Sequence, residues 1–149
     1  MWDYLRRSGC KGYFLPLSGG ADSGATASMV GLMCGYVVEA VQKGDEQVLQ
    51  DVRRITEEES YTPTDARELC SRLLFTSYLG SENSSEETMN RAANLARDIG
   101  STHSAVKIDA VTEALVDTFM QQKGDGVRPS LVSPKGLPLT LTHSQPSLQ

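Results

Sequence analysis

One stretch, GYFLPLSGGADSG at residues 12–24, constrains the fold of this chain more than any other. Tyr13-Phe14-Leu15-Pro16-Leu17 is a short apolar run bounded by Gly12 and Ser18, which predicts a buried strand. Pro16 has no N–H for a ladder, so one side of that strand is expected to lack a full partner near its end. From Ala25 to Val41 the chain is apolar on almost every side, which predicts a buried helix. Gly24, Gly31 and Gly35 each disfavour that helix by roughly 1 kcal/mol relative to alanine. The expected return is close approach of the helix to a sheet. A strand that turns through a glycine pair directly into a helix is half of a parallel βαβ unit.

The rest of the chain continues the alternation. Trp2, Tyr4 and Leu5, then Arg6 and Arg7 before Gly9, read as the end of a short helix. Val48, Leu49, Val52 and Ile55 share one helical face, and Asp65 with Glu68 fits a capping box ahead of Leu69. Leu73–Leu79 is a second strand, and the loop 80–85 ends in a further capping box, Ser84 with Glu87. Met89, Ala92, Leu95, Ala96 and Ile99 then stripe a helix that stops at Gly100. Ala105–Asp109 is a third strand, followed by a helix through Val111, Leu115 and Met120. Strand, helix, helical insert, strand, helix, strand, helix predicts an α/β fold with a doubly wound parallel sheet. Such sheets place the first strand centrally, in an order such as 3-2-1-4-5. A chain with three strands is therefore expected to hold a partial sheet with a bare edge.

Length and composition set the limits. A chain of 149 residues can enclose one core. The first 122 residues read as that domain, and 123–149, broken by Pro129, Pro134, Pro138 and Pro146, as a disordered tail. A net charge of −5 argues against nonspecific binding to nucleic acid or anionic membrane. Cys10, Cys34 and Cys70 lack metal-ligand spacing and read as reduced thiols of an intracellular protein, so a cytoplasmic location is expected. The apolar stretches read as too short to span a bilayer, and the N-terminus lacks the apolar core of a secretory signal.

The chemistry concentrates in Ser18-Gly19-Gly20-Ala21-Asp22-Ser23. A helix N-terminus carries unpaired N–H groups and about half a positive charge. Glycines let backbone approach an anion, and the hydroxyls of Ser18 and Ser23 add donors. The combination is a nest for phosphate or pyrophosphate. Asp22 either caps the helix or holds a Mg²⁺ bridging phosphate oxygens. The plainer reading is a glycine turn with a polar cap. No Gly-Lys-Ser/Thr follows, and the glycine spacing is not that of a dinucleotide fingerprint. Ser81, Asn83 and Ser84 follow the second strand, where open α/β sheets bind ligands, and either face a nucleotide or only cap a helix. His103 and His143 have no partner at metal spacing. Arg67 and Arg72 read as solvated on a helical face, and Met29, Met33 and Tyr36 as core.

SGGADS resembles the SGGxDS loop of the N-type ATP pyrophosphatases, which include GMP synthetases, asparagine synthetases, tRNA-thiolating enzymes and NAD synthetases. WDYLRRSG, GYFLPLSGGADSGATA, DVRRI, SYTPTDAREL and YLGSENSSEETMNRAANLARDIGS together resemble the synthetase domain of eukaryotic glutamine-dependent NAD synthetases, over residues 2–121. The resemblance implies an adenine nucleotide alpha hydrolase-like (HUP-type) fold, with ATP and Mg²⁺ as cofactors. It also implies a C–N ligase reaction. The nicotinate carboxylate of deamido-NAD attacks the α-phosphate of ATP, pyrophosphate leaves, and ammonia from glutamine displaces AMP. Pro16 through Ser23 would bind the pyrophosphate part of ATP, with Ser18 touching the reacting phosphate and Asp22 the metal. Covalent catalysis by Ser18 is not expected, because no base adjoins it.

The family's glutaminase domain is expected before Met1, and the second half of the synthetase domain after residue 121, where this chain does not match. The expectation is a fragment of a homo-oligomeric enzyme. By itself it would be inactive, weak in ATP binding, and open to self-association along its bare strand edge. Two other readings stay open. One is a fragment of another enzyme with this loop. The other is a non-catalytic product that binds its parent.

Overall fold

A computed structural model describes residues 1–123. The order is α1 (Trp2–Ser8), β1 (Tyr13–Pro16), α2 (Ala21–Gln42), α3 (Glu46–Thr56), α4 (Ala66–Leu73), β2 (Leu74–Gly80), α5 (Glu86–Ile99), β3 (Thr102–Lys107) and α6 (Asp109–Lys123). The helix α6 belongs to a second compact unit and is described by itself, with Val111, Leu115 and Phe119 exposed along one stripe. Of the stretch 123–149 read as a tail, Lys123 ends α6, and the rest, with His143 in it, lies outside the described residues.

The three described strands are parallel in the order β1-β2-β3. Tyr13 pairs with Leu74 and Pro16 with Ser77, while Phe75 pairs with Thr102 and Gly80 with Lys107. β1 is thus an edge of the sheet among the described residues. The Leu17 N–H donates to the Ser77 carbonyl at 2.8 Å. Alternation along the strand then turns the Pro16 nitrogen to the open edge, where its missing hydrogen breaks no ladder bond.

Within residues 1–108 the core lies on one face of the sheet. Leu74 packs with Val30, Cys34, Val37, Leu69 and Cys70 from α2 and α4, and Leu17 and Tyr78 pack with Ala27, Ala92 and Ala96. The alternate strand positions Phe14, Phe75, Leu79 and Val106 are exposed and belong to neither cluster. A period of two sorts these side chains onto opposite faces.

Several local expectations change. α2 begins at Ala21 rather than Ala25, because Gly20 already serves as its N-cap. Gly24 and Gly31 make room for Leu95 and Ile99 of α5, not for the sheet, and a β-carbon on Gly35 would touch nothing. Met33 is core, but Met29 and Tyr36 are exposed, at 52% and 70%. They face a groove of about 420 Å³ shared with Met1, Trp2 and Leu32. At 22 residues, α2 is long and apolar enough to cross a membrane by length and composition, contrary to the expectation for every apolar stretch. Its Ala27, Val30, Cys34, Val37 and Val38 are built into the core instead. Arg72 is not simply solvated. It bonds Glu68 at 2.5 Å and Glu58 at 2.6 Å and lies over the Tyr61 ring, whose hydroxyl also bonds Glu68. Arg67 donates to the Arg97 carbonyl at 2.8 Å.

Candidate functional site

The loop between β1 and α2 lies at the carboxyl end of the sheet. Leu17 anchors it, with its side chain 1% exposed and its N–H on Ser77. Pro16, Ser18, Gly20, Ala21 and Asp22 are exposed, and Gly19 and Ser23 half-buried, so the loop is open to solvent. Gly19 holds φ at +76°, a left-handed conformation that glycine adopts without strain.

Two hydroxyls organise the turn. Ser18 Oγ and Ser23 Oγ lie 2.9 Å apart. The Ser18 N–H donates to Ser23 Oγ, and the Gly20 N–H to Ser18 Oγ, each at 3.3 Å. These two amides are therefore already engaged. The amides left for an anion are that of Gly19 and those of the first turn of α2. No side chain caps that helix, and its first backbone bond runs from the Gly24 N–H to the Gly20 carbonyl at 3.1 Å. Among the described residues, the N–H groups of Ala21, Asp22 and Ser23 have no protein acceptor, as helix geometry dictates. Among the described residues the Asp22 carboxylate makes no ion pair, while its carbonyl accepts from Thr26 at 3.0 Å. No cluster of three or more His, Cys, Asp or Glu side chains is present among the described residues.

The loop after β2 closes on itself. The Ser81 N–H donates to Ser84 Oγ at 2.9 Å, and the Asn83 N–H to Ser81 Oγ at 3.3 Å. Ser85, not Ser84, is the N-cap of α5, accepting from the Glu87 N–H at 3.1 Å. Ser84 thus shapes the loop rather than the helix. The two loops meet through a residue that the sequence reading passed over. A β-carbon on Gly19 would overlap the Thr88 carbonyl, with the Thr88 carbonyl carbon at 2.9 Å and Cα at 3.1 Å. The first turn of α5 is therefore the back wall of the Ser18–Ser23 loop.

His103 lies elsewhere. Its Nδ1 shares a 2.8 Å bond with Thr76 Oγ1, its Nε2 is buried without a partner among the described residues, and burial lowers its pKa. The cavity of about 670 Å³ that it lines with Lys11, Phe14, Arg72 and Phe75 sits where the strands begin, at the opposite end of the sheet from the loop. A strand-start location is not where open parallel sheets bind ligands.

Residues 1–135 match the NAD synthase family model. The chain is 59% identical to the glutamine-dependent NAD(+) synthetase of Dictyostelium discoideum over 122 residues, covering 81% of this chain and 17% of that protein. Against the same enzyme of Homo sapiens it is 52% identical over 119 residues, covering 80% of this chain and 17% of that one. It thus spans about a sixth of the length of the curated relatives it matches. The crystal structure of a glutamine-dependent NAD(+) synthetase from Cytophaga hutchinsonii superposes with a TM-score of 0.66 at 32% identity, covering 81% of this chain and 22% of that one.

Proposed function

This chain belongs to the NAD synthase family, and from that premise we propose that Ser18–Ser23 receive the pyrophosphate of ATP in a glutamine-dependent NAD(+) synthetase. The observation that carries the reading is the uncapped N-terminus of α2. Its Ala21, Asp22 and Ser23 amides have no acceptor among the described residues, in a largely exposed turn at the carboxyl end of β1. Transfer of AMP to the nicotinate carboxylate of deamido-NAD leaves negative charge on pyrophosphate. Fixed N–H donors and a helix end lower the energy of that charge without reorganising. Ser18 and Ser23 contribute hydroxyls that hold the turn and can rotate toward phosphate oxygens. Pro16 and Leu17 act as the frame beneath them. Ser81 and Asn83 would border the nucleotide.

One exposed carboxylate fits the manner in which Mg²⁺ is held, by one or two carboxylates plus substrate phosphates. Asp22 would hold the ion, and the ion would supply charge neutralisation on the leaving group. Ammonia released from glutamine would complete the amidation. The chain is proposed to act in the cytoplasm, in keeping with its free thiols.

Alone, the chain is expected to make no NAD. A crevice between the first strand and a neighbour on its outer side has one wall here, since β1 is the edge among the described residues. Incubation with ATP, Mg²⁺, deamido-NAD and ammonium tests this, and steady NAD formation would refute it. The loop assignment is tested separately by titrating magnesium pyrophosphate and following the amide resonances of Gly19 to Ser23. They should shift, and Ser18→Ala and Asp22→Asn should weaken the response. Silence at those amides would sink the assignment. The open β1 edge favours a second reading, in which the chain docks on a synthetase without catalysing, and co-purification with the longer enzyme tests it.

A further inference from the structure

The hydrogen bonds inside the Ser18–Ser23 turn do not set its shape alone, because its rear contact is a peptide of another helix. Thr88 stands in the first turn of α5, and its carbonyl occupies the space a Gly19 side chain would need. The Thr88 hydroxyl donates to the Ser85 carbonyl at 2.8 Å. Having spent its one hydrogen there, Thr88 Oγ1 can only accept at its second contact, which is Tyr78 OH at 2.8 Å. The hydrogen bonds therefore run in one direction, from Tyr78 to Thr88 to Ser85. Tyr78 is buried on β2 beside Leu17, Ala27, Ala92 and Ala96. Gly80 leaves the ring its place, since a β-carbon there would lie 2.8 Å from a ring carbon. The tyrosine ring is thus held among core side chains in the space that Gly80 leaves, and its hydroxyl donates to the start of α5.

We infer that Tyr78 and Thr88 are positioning residues for the Ser18–Ser23 loop, holding the first turn of α5 as the wall against which Gly19 sets the anion-receiving turn. The inference rests on the loop's proposed role in binding pyrophosphate. Neither side chain need touch the ligand. They act through Gly19 and through the Ser85 carbonyl, which joins the loop after β2 to the same chain of bonds.

The test uses the full chain with Tyr78→Phe, Thr88→Val and Thr88→Ser, magnesium pyrophosphate as the probe, and amide hydrogen exchange without ligand. Tyr78→Phe keeps the ring and removes the donor. Thr88→Val removes the hydroxyl at constant shape. Thr88→Ser restores it. The first two should weaken pyrophosphate binding by about five- to tenfold, the worth of one neutral hydrogen bond, and Thr88→Ser should recover it. In the same two variants, exchange at the Ser18 and Gly20 amides should quicken while Val30 and Cys34 hold their protection. Equal quickening at core and loop would mean plain destabilisation and would overturn the inference. If the unaltered chain binds pyrophosphate and the variants bind it as well, the loop assignment stands and this inference alone falls. If the unaltered chain does not bind it, both fall together.

Discussion

Asp51 shows how one buried carboxylate joins two helices. Its side chain bonds Arg6 of α1 at 2.8 Å and Arg54 of its own helix at 3.0 Å, and Arg54 also caps the Arg6 carbonyl. Burial opposes the charge, but hydrogen bonds from Arg54 and Gln47 and the nearby Arg6 outweigh it and hold the carboxyl below the usual range. A depressed folded pKa stabilises fully above the unfolded value of about 3.9 and loses that stability as pH falls through the folded one. Asp51→Ala should therefore cost about 1–3 kcal/mol in urea unfolding at neutral pH, and the gap from the unaltered chain should close in strong acid. His103 acts at higher pH with the same sign. Its pKa is lowered by burial, so its contribution is intact above about 6.5 and fades as acid charges the ring. His103→Gln should flatten the stability profile between neutrality and mild acid.

At the level of elements, caps and faces give the sharper tests. Ser85→Ala should destabilise by about 1 kcal/mol, the worth of a serine cap. Ser84→Ala, which touches only its loop, should stay within about 0.5 kcal/mol in the same melts. On α2, Met33→Ala should cost about 2–4 kcal/mol and Tyr36→Ser almost nothing. The strand–glycine–helix order was legible because an apolar run, a glycine pair and a long apolar helix leave few alternatives. The start of α2 was not, since Ala21, Asp22 and Ser23 suit a loop as well as a first helical turn. Nor was its exposed face. Apolar residues on all sides show what a helix could bury, while Met29 and Tyr36 depend on which neighbours are there. Thr88 was illegible for another reason. A threonine in a striped helix carries no signal, and its role follows from a peptide packed across the fold from Gly19.

In the molecule as a whole, residues 1–108 form a sheet with helices against one face and an open first strand. Both crossovers, β1 to β2 and β2 to β3, carry the chain the same way along the sheet, and right-handed connections then put their helices on the same side. Self-association should centre on the open strand, and Pro16 should restrain it. Pro16→Val should raise the associated fraction in sedimentation velocity at high concentration, and an unchanged distribution would show that the strand is not the contact. The reason lies in what that margin offers a visitor. Along Tyr13–Pro16 only Phe14 holds out a hydrogen. The next outward nitrogen is closed into a ring and has none to lend, so an uninvited strand finds a single donor there and otherwise only carbonyls.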